Sequence, residues 1–192
     1  EIINKKIIFC PCTFADEDSF YPLEKTIDLF FAGADQPSRL EILSAAGYYS
    51  NKLGLNAKFN LHKEKTIGRY KPINKYAYID YLRRSRSVIN ISMKGTKING
   101  KAIHMINGRV TDVFLSGALL IQYQPDDDET LTLDQYFTPN IDYLTFSSRK
   151  QLYDIIKMLK NDTDTIHSIA LNGRKKCMYK YSAKKVWQSV LN

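Results

Sequence analysis

The sequence predicts an α/β fold, a doubly wound parallel sheet with helices on both faces. Three observations carry that expectation. Apolar runs of strand length, such as TIDLFFA from Thr26 to Ala32, are continuous rather than alternating, as in strands buried on both faces. They take turns along the chain with segments whose apolar residues recur at helical spacing. No internal repeat, heptad or low-complexity stretch interrupts the alternation, which is the pattern of βαβ units.

Taken in order, residues 1–24 hold one short strand-like run and then an acidic, proline-bounded connector, and they are set apart from residues 25–192. The first core strand is Thr26 to Ala32, ended by Gly33. Pro37 and Ser38 open a helix carrying Leu40, Ile42, Leu43, Ala46 and Tyr49 at helical spacing, and Gly54 closes it. Asn56 to His62 is a second strand, Tyr76 to Arg86 a helix, and Ser87 to Ser92 a third strand. MKGTKINGKAIHMINGR then reads as a polar loop. A short helix from about Gly108 runs into the strand Ala118 to Gln122. An acidic loop, PDDDE, leads to a short strand near Asp142 to Phe146. Helices follow over Ser148 to Lys160, Asp164 to Tyr179 and Ala183 to Leu191, with Ser147, Asp162 and Asp164 as N-cap candidates.

The chain has 192 residues, 44% hydrophobic and 25% charged, enough for one globular domain with a real core. No run approaches the roughly 18 apolar residues of a membrane span, and no signal peptide is visible. The three cysteines, Cys10, Cys12 and Cys177, form neither a disulfide framework nor a zinc or redox motif. They read as reduced cysteines of a cytoplasmic protein. The net charge of +8 favours an anionic partner.

In a doubly wound sheet ligands bind beyond the carboxyl ends of the strands, at the switch point. FAGADQPSR follows the first strand, where the Gly33 backbone permits close approach and the next helix offers free N–H groups to a phosphate. Arg39, one turn into that helix, opposes its dipole, so a negative partner is expected. The dinucleotide fingerprint GxGxxG is absent. The loop after the third strand carries Lys94, Lys97, Lys101 and Arg109 with three glycines, His104 and no acid, which suits a diphosphate. Arg109 and Asp112 lie on one side of the following helix. Asp126 and Asp128 satisfy an Asp-x-Asp metal pattern, but a solvated acidic loop explains them, and His62 and His167 lack ligand spacing. No metal or cofactor is therefore expected. NGRKKCMYKYSAKK is basic with interleaved tyrosines. RNA or another polyanion is the third-ranked partner for it, with Tyr179 and Tyr181 expected to pack a terminal helix.

The order of these features resembles the C-terminal domain of GT-B glycosyltransferases, a Rossmann-like donor domain. FADEDSFYPLEKTIDLFFAG, with Asp16, Phe20 and Pro22, resembles the junction into that domain. GRVTDVFLSGALLI resembles the Arg/Glu/Gly helix-to-strand motif of the CgeB-like, spore-maturation type of these enzymes. The resemblance covers roughly residues 14–190 and also takes in Tyr136, Phe137 and the C-terminal NGRKKCMYKYSAKKVW. It implies a nucleotide-sugar donor as substrate, with Gly33 under the diphosphate. It implies Arg39, Lys94 and Arg109 as phosphate neighbours, and Asp112 in place of the glutamate that accepts the ribose hydroxyls. Eight positions before Asp112, where retaining relatives carry a glutamate, stands His104, the candidate catalytic residue, so the stereochemical outcome stays open. The resemblance further implies metal-independent transfer to an unknown acceptor, with help from an N-terminal domain absent from this chain. A non-catalytic nucleotide- or sugar-nucleotide-binding module on the same scaffold is the alternative.

Overall fold

The computed structural model describes residues 20–62, 73–98, 101–104, 108–125, 133–181 and 188. In chain order the elements are β1 (Ile27–Ala34), α1 (Pro37–Lys52), β2 (Ala57–His62), α2 (Lys75–Arg84), β3 (Ser85–Asn90) and β4 (Met93–Ile98). Then come β5 (Lys101–His104), α3 (Gly108–Leu115), β6 (Leu119–Tyr123), β7 (Leu144–Phe146), α4 (Arg149–Asn161) and α5 (Thr163–Tyr181).

Five strands form one parallel sheet in the order β2-β1-β3-β6-β7. Successive residues of β1 feed opposite cores, as the period-two geometry of a strand requires. Leu29 and Phe31 pack with Leu43 and Ala46 of α1, Ile89 and Ile91, Ile121, and Leu152 and Ile156 of α4. Phe30 and Ala32 pack with Ile79 and Leu82 of α2, Val88, Leu120, and Val110, Val113 and Phe114 of α3. This two-sided burial explains the uninterrupted apolar run. Helix α5 closes one edge, giving Ile166 and Ile169 to the first core and Cys177 to the second.

The chain leaves β1 for β2 by way of α1 on one face. It returns over β1 to β3 by way of α2 on the other face, then continues outward. The strand order therefore reverses between β1 and β3, so their carboxyl ends flank the switch point.

Local signals account for most boundaries. Pro37 opens α1, and Gly54, at φ 68°, follows its last turn. The Asn74 side chain caps α2 by accepting from the Ala77 N–H at 2.8 Å. Asp162 caps α5 through the Thr165 N–H at 3.1 Å, as expected. Ser148, rather than Ser147, caps α4, in a reciprocal box with Gln151. Gly117, at φ 65°, turns α3 into β6, and a Cβ there would lie 2.9 Å from Pro22 Cγ. The two motif segments that hold Pro22 and Gly117 thus meet in space.

Several expectations are corrected. Within the polar stretch after β3, Met93–Ile98 and Lys101–His104 are strands rather than loop: β4 and β5 pair antiparallel, with Met93 opposite His104. Asn99-Gly100 between them is the short-range hairpin signal that a reading as loop passes over. The third strand starts at Ser85, since α2 ends where Ser85 Oγ donates to Tyr81 O at 2.6 Å. The strand before α4 is confined to Leu144–Phe146. Tyr181 packs on Phe137 as expected, with centroids 5.2 Å apart, but Tyr179 is 74% exposed. The strand in residues 1–24, Asp16, Cys10, Cys12, Asp126, Asp128 and the helix over 183–191 lie outside the described residues, Gln188 apart.

Candidate functional site

The site grows from the carboxyl ends of β1 and β3. At the end of β1 the backbone at Gly33 passes close under a guanidinium. A Cβ on Gly33 would stand 3.0 Å from Phe31 Cζ and 3.3 Å from Arg109 Nη2. Glycine is needed here for closeness, not for an unusual φ. The Arg109 guanidinium lies 5.4 Å from the Phe31 ring centroid, within cation–π range.

At the end of β3, Asn90 is fully buried and opposite Gln122 of β6 in register. Its Nδ2 donates to Gln122 Oε1 and to Ser92 Oγ, both at 2.8 Å, leaving Oδ1 to accept from Arg109 Nη1 at 3.4 Å. Gln122 Nε2 in turn donates to Tyr123 O at 2.7 Å. Buried amides tolerate such a place only when their groups are paired, and these are. The ladder supports Arg109 from beneath.

Helix α3 brings Arg109 and Asp112 together, as their spacing predicts. Burial raises the Asp112 carboxyl to about 6, against the opposing pull of Arg109, a hydrogen bond from Tyr78, and Lys75. Burial, first, and then the charge of Asp112 raise the hydroxyl of Tyr78, from the first turns of α2, well above its usual range, against the pull of Arg109. The Arg109 guanidinium thus stands beside Gly33, with the half-buried Asp112 carboxylate one turn along the same helix. Chemically the cluster offers one fixed cation and one acceptor for hydroxyls.

The other predicted site residues are placed less uniformly. Arg39, on α1, turns back to the preceding strand, with Nη1 3.4 Å from Ala34 O, so it does flank the end of β1. The α1 N-terminus is less open than expected, because Pro37 has no N–H and those of Arg39 and Leu40 go to Gln36 O. Lys94 and His104 sit on β4 and β5, an antiparallel pair that starts three residues after the end of β3 and ends four residues before the start of α3.

Sequence reasoning missed Asn90, Gln122 and Tyr78. The signal for the first two was a polar residue at the carboxyl end of each of two apolar strands. Tyr78 carried none, because the charges that shift its hydroxyl lie on another helix. Among the described residues no group of three His, Cys, Asp or Glu side chains could hold a metal, and no helix is long and apolar enough to cross a membrane. Two clefts also open on the carboxyl edge. One of about 170 Å³ lies between α1 and α4 near Ser38, Glu41, Tyr123 and Arg149. One of about 340 Å³ lies near Gln124, Asp134, Ser147 and Gln151.

The basic C-terminal stretch is partly committed to the fold. Arg174 Nε donates to Leu115 O at 3.0 Å, and Lys176 Nζ lies 2.6 Å from the buried Asp142 carboxylate.

Residues 38–192 match the family model described as glycosyl transferase-like. The structure is similar to the C-terminal domain of the glycosyl transferase group 1 family protein LpcC from Francisella tularensis, at TM-score 0.63 and 14% identity, covering 88% of this chain and 99% of that one. It is similar to TarM at TM-score 0.58 and 13% identity, covering 90% of this chain and 36% of TarM. It is also similar to Anabaena Alr3699/HepE, solved in complex with UDP-glucose, at TM-score 0.52 and 12% identity, covering 92% of this chain and 42% of that one. At such identities the likeness is one of fold. No curated protein matches the chain.

Proposed function

We propose a donor-binding role from one premise: this chain belongs to the glycosyl transferase-like family that its residues 38–192 match. Its fold is that of the C-terminal domain of GT-B glycosyltransferases. Within that frame the chain binds the nucleotide part of a sugar-nucleotide donor, for transfer of the sugar to an acceptor. The CgeB-like type is the finer reading, resting on the order Arg109, Asp112, Gly117.

The observation that carries the reading is the meeting of Gly33 and Arg109 at the switch point, with Asn90 behind them and Asp112 one turn along the Arg109 helix. The diphosphate lies beside Gly33, against the Arg109 guanidinium that stands over it, and Arg109 compensates its charge. As the glycosidic bond to the diphosphate breaks, negative charge grows on the leaving oxygen. A guanidinium already held by Asn90 and Phe31 stabilises that charge without reorganising. Asp112, as a carboxylate, accepts from the ribose hydroxyls. Arg39 and Lys94 add positive charge around the diphosphate, and His104, as neutral imidazole, hydrogen-bonds the donor sugar. Charge compensation by these side chains makes transfer metal-independent. The acceptor is bound by an N-terminal domain, consistent with the chain spanning 36% of TarM and 42% of HepE, and the protein works in the cytoplasm.

Paired substitutions test the assignment. Asp112→Ala is expected to abolish nucleotide binding, and Lys175→Ala with Lys180→Ala to leave it unchanged. The opposite pattern would move the anionic ligand to the C-terminal helix.

A further inference from the structure

The polar side chains at the carboxyl ends of β3 and β6 form a chain of hydrogen bonds whose direction is fixed at one end. Tyr123 O is a backbone carbonyl and can only accept, and Gln122 Nε2 donates to it at 2.7 Å. Turned end for end, the Gln122 amide would set Oε1 against that oxygen, two acceptors with no hydrogen between them. Oε1 therefore faces β3, where Asn90 Nδ2 donates to it at 2.8 Å. Ser92 Oγ takes the second Nδ2 hydrogen, also at 2.8 Å. With both donors spent, the Asn90 amide has only its carbonyl left, and Oδ1 faces Arg109 Nη1 at 3.4 Å. We propose that Gln122 is a positioning residue of the donor site, turning the carbonyl end of Asn90 towards Arg109 and so holding the guanidinium in place for the diphosphate. This rests on the donor reading above.

Burial makes the relay strict. Asn90, Ser92 and Gln122 are 0%, 6% and 7% exposed, and their strand neighbours Ile89, Ile91 and Ile121 are fully buried. Water does not replace a lost partner in such a place, so the orientation of each amide is set by the next. Asn90 and Gln122 face each other in register, and the bond between them would by itself pin β3 to β6. A pin of that kind needs neither Ser92 nor Arg109, whereas here every group of the Asn90 amide is assigned. The 3.4 Å bond to Arg109 is long, so what it supplies is direction more than strength. An amide carbonyl also orients a guanidinium without bringing negative charge of its own, which leaves the charge of Arg109 to the diphosphate. A carboxylate at the same place would compete with the phosphates.

The test is Gln122→Met, which keeps the length of the side chain and removes both of its polar ends. In the ligand-free chain the Arg109 Nε–Hε signal, assigned with Arg109→Lys, is followed by NMR. The substitution is expected to shift and broaden that signal, because only Ser92 then holds the Nδ2 end of Asn90. An unmoved signal would overturn the assignment. The second readout is affinity for UDP-glucose, expected to weaken about fivefold, the factor carried by one ordinary hydrogen bond. In an Arg109→Ala background the same substitution should leave affinity unchanged, since Gln122 acts through Arg109. Equal losses in the two backgrounds are the mark of a merely structural role and would overturn the assignment as well. Asn90→Asp separates orientation from charge: the Arg109 signal should stay sharp while affinity falls about tenfold. Wild-type affinity in Asn90→Asp would refute the need for a neutral anchor. A wild type that binds neither UDP-glucose nor ADP-, GDP- or CDP-sugars overturns the donor reading instead, and the ligand-free signal still decides whether Gln122 holds Arg109.

Discussion

Gly33→Ala tests the close approach at the centre of the site. The new methyl group would stand 3.0 Å from Phe31 Cζ, 3.2 Å from Phe31 Cε1 and 3.3 Å from Arg109 Nη2. Phe31 is fully buried and has nowhere to go, so the guanidinium, at the more open side, gives way. Overpacking of this kind costs about 1–3 kcal/mol, and the stiffer unfolded chain of alanine offsets about 0.4–1 kcal/mol of that. The net loss of about 1 kcal/mol lowers Tm by about 2–4 °C in a chain of this size. Displacing Arg109 also stretches its 3.4 Å hydrogen bond to Asn90, already long. Loss of one charge-assisted contact to the diphosphate weakens nucleotide affinity about tenfold. Calorimetric titration and thermal unfolding of Gly33→Ala, Arg109→Ala and the double variant measure both effects. The double variant should bind little worse than Arg109→Ala alone, because the two substitutions act through one group. Additive losses, or a Gly33→Ala protein with unchanged Tm and affinity, would refute the coupling of glycine to arginine.

Three further outcomes are expected. Gly173→Ala on α5 would drive a methyl group against Asp142 O and to 2.6 Å from Phe114 Cε1, and with backbone on one side the cost should exceed about 3 kcal/mol, read in urea unfolding. Lys176→Met strips the partner from Asp142, which is only 4% exposed but keeps the Thr138 N–H, and should cost about 2 kcal/mol, less than a fully buried pair. Because the Asp112 carboxyl is raised in the folded chain, the native state binds the extra proton between about pH 4 and 6. The stability this group contributes is present below that window and lost as pH rises through 6, by about 1–2 kcal/mol after solvent screening. The difference between wild type and Asp112→Asn in unfolding free energy across that window should show this fall, while donor affinity changes in the opposite sense.

Much of the fold was legible because burial on two faces leaves a plain mark. TIDLFFA has too few polar positions for a one-sided sheet, and Pro37, Gly54 and Asp162 mark helix ends through backbone chemistry that operates locally. The β4–β5 hairpin was missed because its lysines suggested solvent, although an antiparallel pair can carry charge on its strands. In the site, Arg109 and Asp112 were readable because a helix places residues three apart on one side. Asn90 and Gln122 were not, since they pair between neighbouring strands, 32 positions apart in the chain. Arg39 shows the reverse case: a cation at a helix start invited a ligand, yet its guanidinium lies against Ala34 O.

In the proposed role this chain holds a nucleotide-sugar donor at the carboxyl ends of β1 and β3. It is tested most directly by thermal shift with UDP, GDP, CDP, ADP and their sugar conjugates, with and without EDTA, on wild type and Asp112→Ala. A ligand at a hundredfold excess over its Kd stabilises the fold by about 2.7 kcal/mol, a shift of several degrees. Such a shift is expected for one nucleotide series, insensitive to EDTA and absent in Asp112→Ala. A flat panel, or a shift that survives Asp112→Ala, would contradict it.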